Sequence, residues 1–205
     1  MIMRQLPNLL GLFRIIATPV LAWWILLATP TAYLGAALLL LLMALSDMAD
    51  GRLARHLKVV SPLGIFIDTI SDKIFVAGVL IPMVEVGLLP AWVALAIIIR
   101  EFVVSGLRSF AAAEGVVISA RRFGKQKLVI TVVALIWRLL AAHAETGGFL
   151  GQIAGGLLIP LLNLWFIPMA LALIWTIGSG IEYLWQAWPL LRRSWSPGPS
   201  GQSGS

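Results

Sequence analysis

Four of the chain's nine acidic residues, Asp47, Asp50, Asp68 and Asp72, fall within one 26-residue stretch between long apolar runs. An ionisable side chain at membrane depth costs about 2.5–3.5 kcal/mol on insertion scales, so such groups face polar cavities and act there. Their spacing sorts them into two stripes. Asp47, Asp50, Gly51 and Ala54 stand at i, i+3, i+4 and i+7, on one face of a helix. Gly64, Asp68 and Asp72 stand at i, i+4 and i+8, along one face of the next. Each stripe sets two carboxylates beside residues with almost no side chain. The short basic connection Arg52–Ser61 is expected to fold the two helices antiparallel, stripe facing stripe.

Four carboxylates converging in a low-dielectric site repel one another unless they are neutralised. Hard divalent cations with oxygen ligands meet that need, and Mg2+ takes carboxylates, waters and substrate phosphates together. The small residues leave room for a ligand against the backbone. Arg55 offers a planar, permanently charged fork for a phosphate. This pattern points to metal-assisted phosphoryl-type transfer at a membrane surface. Two other arrangements use the same acids: internal ion pairs with Arg52, Arg55 and Lys73, which leave the glycines unexplained, and a path for cations or protons.

The elements that must position these residues are transmembrane helices. Of 205 residues, 60% are apolar and 12% charged, against about a quarter charged in soluble domains. Mean hydropathy is +0.97. The fold class is all-α, a polytopic membrane protein with six transmembrane helices: about Leu9–Ala28, Ala32–Met48, Pro62–Val84, Leu89–Phe110, Leu128–Ala142 and Ile153–Trp188. The last is too long for one straight span, and its final helix starts near Ile159 or later.

Three connections, Thr29–Thr31, Glu85–Leu88 and His143–Gln152, carry no Lys or Arg. The alternate ones hold Arg52, Arg55 and Lys58, then Arg121, Arg122, Lys125 and Lys127, with Arg4 before the first span and Arg192 and Arg193 after the last. The positive-inside rule then makes both termini cytoplasmic. The net charge of +6 is accounted for by these loops, so no nucleic-acid partner is implied. Trp92, Trp185 and Trp188 fall where interfacial anchors belong. The absence of cysteine excludes disulfides, thiolate catalysis and Cys-based zinc sites, and His56 and His143 lie too far apart for a His-rich metal site. The N-terminus does not read as a cleavable signal peptide. Residues 1–193 form a single transmembrane catalytic domain. Residues 194–205, rich in Ser, Gly and Pro, are a disordered tail or an appended remnant.

The run Asp47-Met-Ala-Asp50-Gly51-Arg-Leu-Ala54-Arg55, then eight residues, Gly64, three residues, Asp68, three residues and Asp72 resembles the signature of the CDP-alcohol phosphotransferases, with every defining position present. The resemblance implies a six-helix membrane enzyme, usually a homodimer, with a divalent-metal site facing the cytoplasm. It implies Asp47, Asp50 and Asp68 as metal ligands, and Asp72 as a ligand and the catalytic general base. It places Gly51, Ala54, Arg55 and Gly64 around the cytidine diphosphate. The implied cofactor is Mg2+ or Mn2+, two ions.

Within that family the chain is similar to the subgroup that makes phosphatidylglycerophosphate. The likeness is carried by Leu6-Pro7-Asn8-Leu9-Leu10 with Arg14, by Arg100-Glu101-Phe-Val-Val-Ser105-Gly106-Leu107-Arg108, and by Gly124-Lys125-Gln-Lys127. It runs from about Leu6 to about Arg138. Gly11, Thr69 and Leu128 depart from the subgroup's usual threonine, proline and threonine, and no charged position is lost. The implied reaction transfers the phosphatidyl group of CDP-diacylglycerol to glycerol 3-phosphate in the inner (cytoplasmic) membrane, in contact with membrane lipids. Alternatives are another acceptor (inositol phosphate, serine or phosphatidylglycerol) or, outside the family, a cation transporter.

A phosphorylated acceptor needs cations in a site shared with four acids. Glu101, Ser105 and Arg108 stand at i, i+4 and i+7, with Arg100 at the margin and Lys125 and Lys127 at the mouth of the next helix. Arg108, Lys125 and Lys127 are the candidates for the acceptor phosphate. Glu101 is expected to orient Arg108 or Arg100. Arg14 either touches substrate or snorkels to the interface. Arg121 and Arg122 read as loop charges for anionic headgroups. Arg138 and Glu145 suggest no role.

Overall fold

The computed structural model describes residues 2–57, 62–116, 122–153 and 158–195, without the side chains of residues 2–8, 49–57, 62, 63, 65, 68, 122–125, 153 and 158. Among the described residues the chain is helical, with no strand. The helices are α1 (Ile2–Leu26), α2 (Pro30–Leu57), α3 (Pro62–Glu85), α4 (Ala91–Ala113), α5 (Arg122–Glu145), α6 (Phe149–Ile153), α7 (Leu158–Asn163) and α8 (Phe166–Trp195). At 1.5 Å per residue, the six long ones run roughly 35–45 Å, more than a hydrocarbon core of about 30 Å. Four stretches are long and apolar enough to cross a membrane: Leu9–Leu26, Pro30–Met48, Gln126–Glu145 and Ile159–Trp195. α3 and α4 carry Asp68, Asp72, Lys73, Arg100, Glu101 and Arg108 within their length.

Local chemistry sets the ends. α3, α4 and α5 each finish on a glycine in the left-handed region, Gly87, Gly115 and Gly147. The next amide in each case donates 2.8 Å back to the carbonyl five residues earlier, those of Met83, Ala111 and His143. This is the six-to-one bond of a Schellman turn. The extended backbone of Pro90 precedes α4.

Several expected boundaries are corrected. α2 continues past Met48 to Leu57, so the positions of Arg52 and Arg55 are helical rather than part of the connection. The segment Ile153–Trp188 is interrupted, as its length required, and its end is extended. α8 begins at Phe166 with Pro168 in its first turn, where a missing amide leaves no bond unmade. It runs through Trp195, so Ser194 belongs to a helix and not to a tail; residues 196–205 lie outside the described residues.

The long helices close a ring in the order α1, α3, α4, α8, α5, α2, each packed on its two neighbours. Whether the two acidic stripes face each other along their length falls largely outside the described residues. Among the described residues the principal partners of α3 are α1 and α4, and α1 stands between α3 and α2. Glycine permits the α1–α3 approach. A Cβ on Gly11 would lie 2.7 Å from Cγ2 of Ile67, and one on Gly78 would collide with the methyl of Thr18. Both contacts are with branched side chains that have little freedom to turn away.

Inside the ring, Leu21, Leu40, Met43, Val79, Leu80, Ile97 and Leu139 are buried together. Leu9, Ile16, Trp23, Leu38, Ile81, Leu95, Ile174 and Ile181 point outward, so the surface is as apolar as the interior, as suits lipid. Trp92 is exposed at the start of α4, whereas exposed Trp185 and Trp188 lie inside α8, which ends at exposed Trp195.

The connections that lack Lys and Arg are tied together by residues that showed no role in the sequence. Buried Arg138 donates to the Leu88 carbonyl at 3.0 Å and to both Glu145 oxygens at 3.1 and 3.2 Å. Its guanidinium lies 4.6 Å over the Trp165 ring. His143 Nδ1 lies 2.7 Å from the Pro30 carbonyl.

Candidate active site

Five helices each place polar side chains around one small cavity. Arg14 comes from α1, Asp47 from α2, Asp72 from α3, Glu101 from α4, and Lys127 and Thr131 from α5. Ala44, Phe75, Val76, Ile97, Leu128 and Val132 complete the wall, and the enclosed volume is about 50 Å3. The period of each helix explains this arrangement: one face turns Arg14, Lys127 and Thr131 inward while positions such as Val129 face out, and Asp72 lines the cavity with its side chain still 55% exposed.

Arg14 is the centre of the site. Its side chain is 1% exposed. Nη1 donates to Asp72 Oδ1 at 2.6 Å and pairs with Asp47 Oδ1 as well. Two hydrogen bonds of ordinary length, about 3 Å, to one nitrogen keep the two carboxylate oxygens within about 6 Å of each other. Thr18 holds the backbone below, its hydroxyl donating to the Arg14 carbonyl at 2.7 Å. Arg14 is therefore not a snorkelling interfacial residue. The signal that marks it is its isolation, the one charge in the apolar stretch Leu9–Leu26.

On the facing wall, Glu101 Oε1 pairs with Lys127 Nζ and accepts from Arg100 Nη1 at 3.2 Å. Arg100 turns from the cavity toward α8, donating to Ser179 Oγ at 3.0 Å and lying 5.8 Å from the centre of the Tyr183 ring. Glu101 thus orients Arg100 and Lys127. Buried Lys127 would otherwise stand as an uncompensated charge in low dielectric.

Of the residues expected at the site, Asp47, Asp72 and Lys127 are brought to this cavity. Arg108 is exposed on α4 and does not line it. Gly64 is half-buried on α3, two turns before Asp72. Asp50, Gly51, Ala54 and Arg55 lie on α2, Asp68 on α3 and Lys125 on α5, with side chains outside the described residues. Among the described residues, no three acids or histidines converge as a metal cluster.

The donor chemistry fits a hard divalent cation. Asp47 and Asp72 offer oxygens that converge on a single positively charged atom, Arg14 Nη1. Among the described residues, no sulfur and no imidazole is present on the cavity wall. Oxygen-only sets of this kind suit Mg2+ or Mn2+ rather than zinc. What the arrangement can do chemically is hold an anionic phosphate among cations while a carboxylate takes a proton nearby.

A family model described as CDP-alcohol phosphatidyltransferase matches residues 4–178. Three relatives named CDP-diacylglycerol–glycerol-3-phosphate 3-phosphatidyltransferase illustrate the likeness. One from Bacillus subtilis (strain 168) is 33% identical over 206 residues, covering 94% of this chain and 100% of the relative. One from Pseudomonas fluorescens is 32% identical over 193 residues, covering 92% of each. One from Rickettsia bellii (strain RML369-C) is 35% identical over 131 residues, covering 64% of this chain and 72% of the relative.

Proposed function

This chain belongs to the CDP-alcohol phosphatidyltransferase family, and from that premise we propose that it transfers the phosphatidyl group of CDP-diacylglycerol to glycerol 3-phosphate, giving phosphatidylglycerophosphate and CMP. Relatives of that printed name span nearly the whole chain. The observation that carries the proposal is the cavity itself. Two carboxylates meet at Arg14, and a buried lysine stands on the wall opposite. With an acceptor lacking a phosphate, Lys127 would serve only as the partner of Glu101.

Asp47, Asp50, Asp68 and Asp72 would hold the divalent cations. When bound, these supply charge that offsets the developing negative charge on the phosphoryl oxygens and the departing CMP. Gly51, Ala54, Arg55 and Gly64 seat the cytidine diphosphate, and the acyl chains stay in lipid. Lys127, on the cavity wall, binds the acceptor phosphate, and Arg108, outside the cavity lining, and Lys125 add positive charge. Asp72 accepts the proton of the acceptor's primary hydroxyl. That oxygen forms a bond to the phosphorus carrying the lipid, and the bond from this phosphorus to the CMP oxygen breaks, CMP leaving with the electron pair. Asp72 is a weak base when it also touches a cation, so the proton moves late. Arg14 holds Asp47 and Asp72 together before substrate arrives.

The Lys and Arg of the alternate connections support a site on the cytoplasmic side of the inner membrane, with six spans and both termini inside. A homodimer is the assembly proposed. Purified protein given labelled CDP-diacylglycerol and a panel of acceptors tests the reaction. The expected result is CMP release with glycerol 3-phosphate, abolished by chelation and restored by Mg2+ or Mn2+. Preference for serine, inositol phosphate or phosphatidylglycerol would reject the acceptor. Metal-dependent ion flux in liposomes without CMP release would reject the enzyme.

A further inference from the structure

Thr131 lies one turn beyond Lys127 on α5 and lines the same cavity. It is 4% exposed, and its hydroxyl has no hydrogen-bond partner among the described residues. Helical threonines commonly donate to the carbonyl four residues back. Thr18 and Thr146 do so, to Arg14 and Ala142, each at 2.7 Å. Thr131 stands in the same relation to Lys127 and makes no such bond. Ser46 and Thr176 also hold unpartnered hydroxyls, but neither lines this cavity.

A buried hydroxyl without a partner is disfavoured in a low-dielectric interior. A cavity-lining one is satisfied by whatever the cavity binds. The polar neighbours here already have tasks in the proposed reaction: Lys127 for the acceptor phosphate and Asp72 for the attacking hydroxyl. Glycerol 3-phosphate has one further polar group, the secondary hydroxyl between them. Side chains four residues apart on a helix stand about 5–6 Å apart at Cβ, a spacing suited to a phosphate and a hydroxyl of one three-carbon molecule. We propose that Thr131 is a specificity-determining residue that hydrogen-bonds the secondary hydroxyl of the acceptor. This rests on the acceptor proposed above.

The experiment compares wild type, Thr131→Val, Thr131→Ala and Thr131→Ser on glycerol 3-phosphate and on 3-hydroxypropyl phosphate, which lacks the secondary hydroxyl. Thr131→Val is expected to lose roughly 10- to 100-fold in kcat/KM on glycerol 3-phosphate. On 3-hydroxypropyl phosphate it should stay within about twofold of wild type. Thr131→Ser should retain most of the wild-type preference, and KM for CDP-diacylglycerol should not move. Thr131→Ala gives the same selective loss where the valine variant does not fold. Equal losses on both acceptors, or no loss on either, would overturn the assignment while leaving the enzyme's reaction intact. A wild-type enzyme indifferent to glycerol 3-phosphate but active with another acceptor would overturn both.

Discussion

Arg14 Nη1 lies 2.6 Å from Asp72 Oδ1, a contact between residues 58 apart in sequence. The same nitrogen pairs with Asp47 on α2. The carboxylate-bearing helices thus meet through a third helix, α1, whose one buried cation offsets the repulsion between their acids. Close approach at Gly11 and Gly78 brings α1 near enough to α3 for this to occur.

Arg14→Gln removes that cation while keeping a polar side chain. In chelator the variant should melt about 5–10 °C below wild type, because it strips the partner of partly buried Asp47 and puts a neutral group in the buried place of Arg14. Millimolar Mg2+ should recover part of the loss, because a bound divalent ion stabilises the folded state by mass action. Thermal unfolding in detergent, with and without Mg2+, measures both. An unchanged midpoint in chelator would show that Asp47 and Asp72 do not depend on Arg14.

Asp72→Asn keeps the shape of the side chain and removes its charge and its basicity. Turnover should fall by about a thousandfold or more. Binding of the CDP-lipid, followed by equilibrium dialysis, should weaken by less than about tenfold, since other acids and Arg55 remain. Residual turnover above about a tenth of wild type would remove Asp72 from the role of base.

Lys127→Met should act on the acceptor alone. KM for glycerol 3-phosphate is expected to rise roughly 10- to 100-fold, the loss of one charge-assisted contact, and KM for CDP-diacylglycerol to stay within about twofold. Steady-state kinetics with each substrate varied in turn will separate the two. A matched rise in both constants would point instead to a collapse of the Glu101 cluster that Lys127 shares with Arg100.

Arg138→Ala tests the other end of the ring. It removes the bond to the Leu88 carbonyl, the pair with Glu145 and the contact over Trp165. A loss of about 2 kcal/mol, or roughly 4–8 °C in Tm, is expected. Below the melting point kcat/KM should match wild type. A selective kinetic loss in the folded variant would give Arg138 a part in catalysis.

How much of this was legible in the residue order follows from which forces are local. Helical period puts Asp47 with Asp50, and Asp68 with Asp72, whatever the helices pack against. Charge in the short connections orients spans because each loop meets the membrane on its own terms. Composition and these spacings therefore determined the all-helical membrane class, the acidic stripes and the lysine at the start of α5. Tertiary structure alone decided that α1 stands between α2 and α3, that Arg14 joins their acids, that Arg100 turns to Ser179 while Lys127 keeps Glu101, and that Thr131 is left unpaired in the cavity. Those outcomes depend on which small residues let which helices approach, and on a balance of desolvation against pairing that exists only once distant segments share one low-dielectric space.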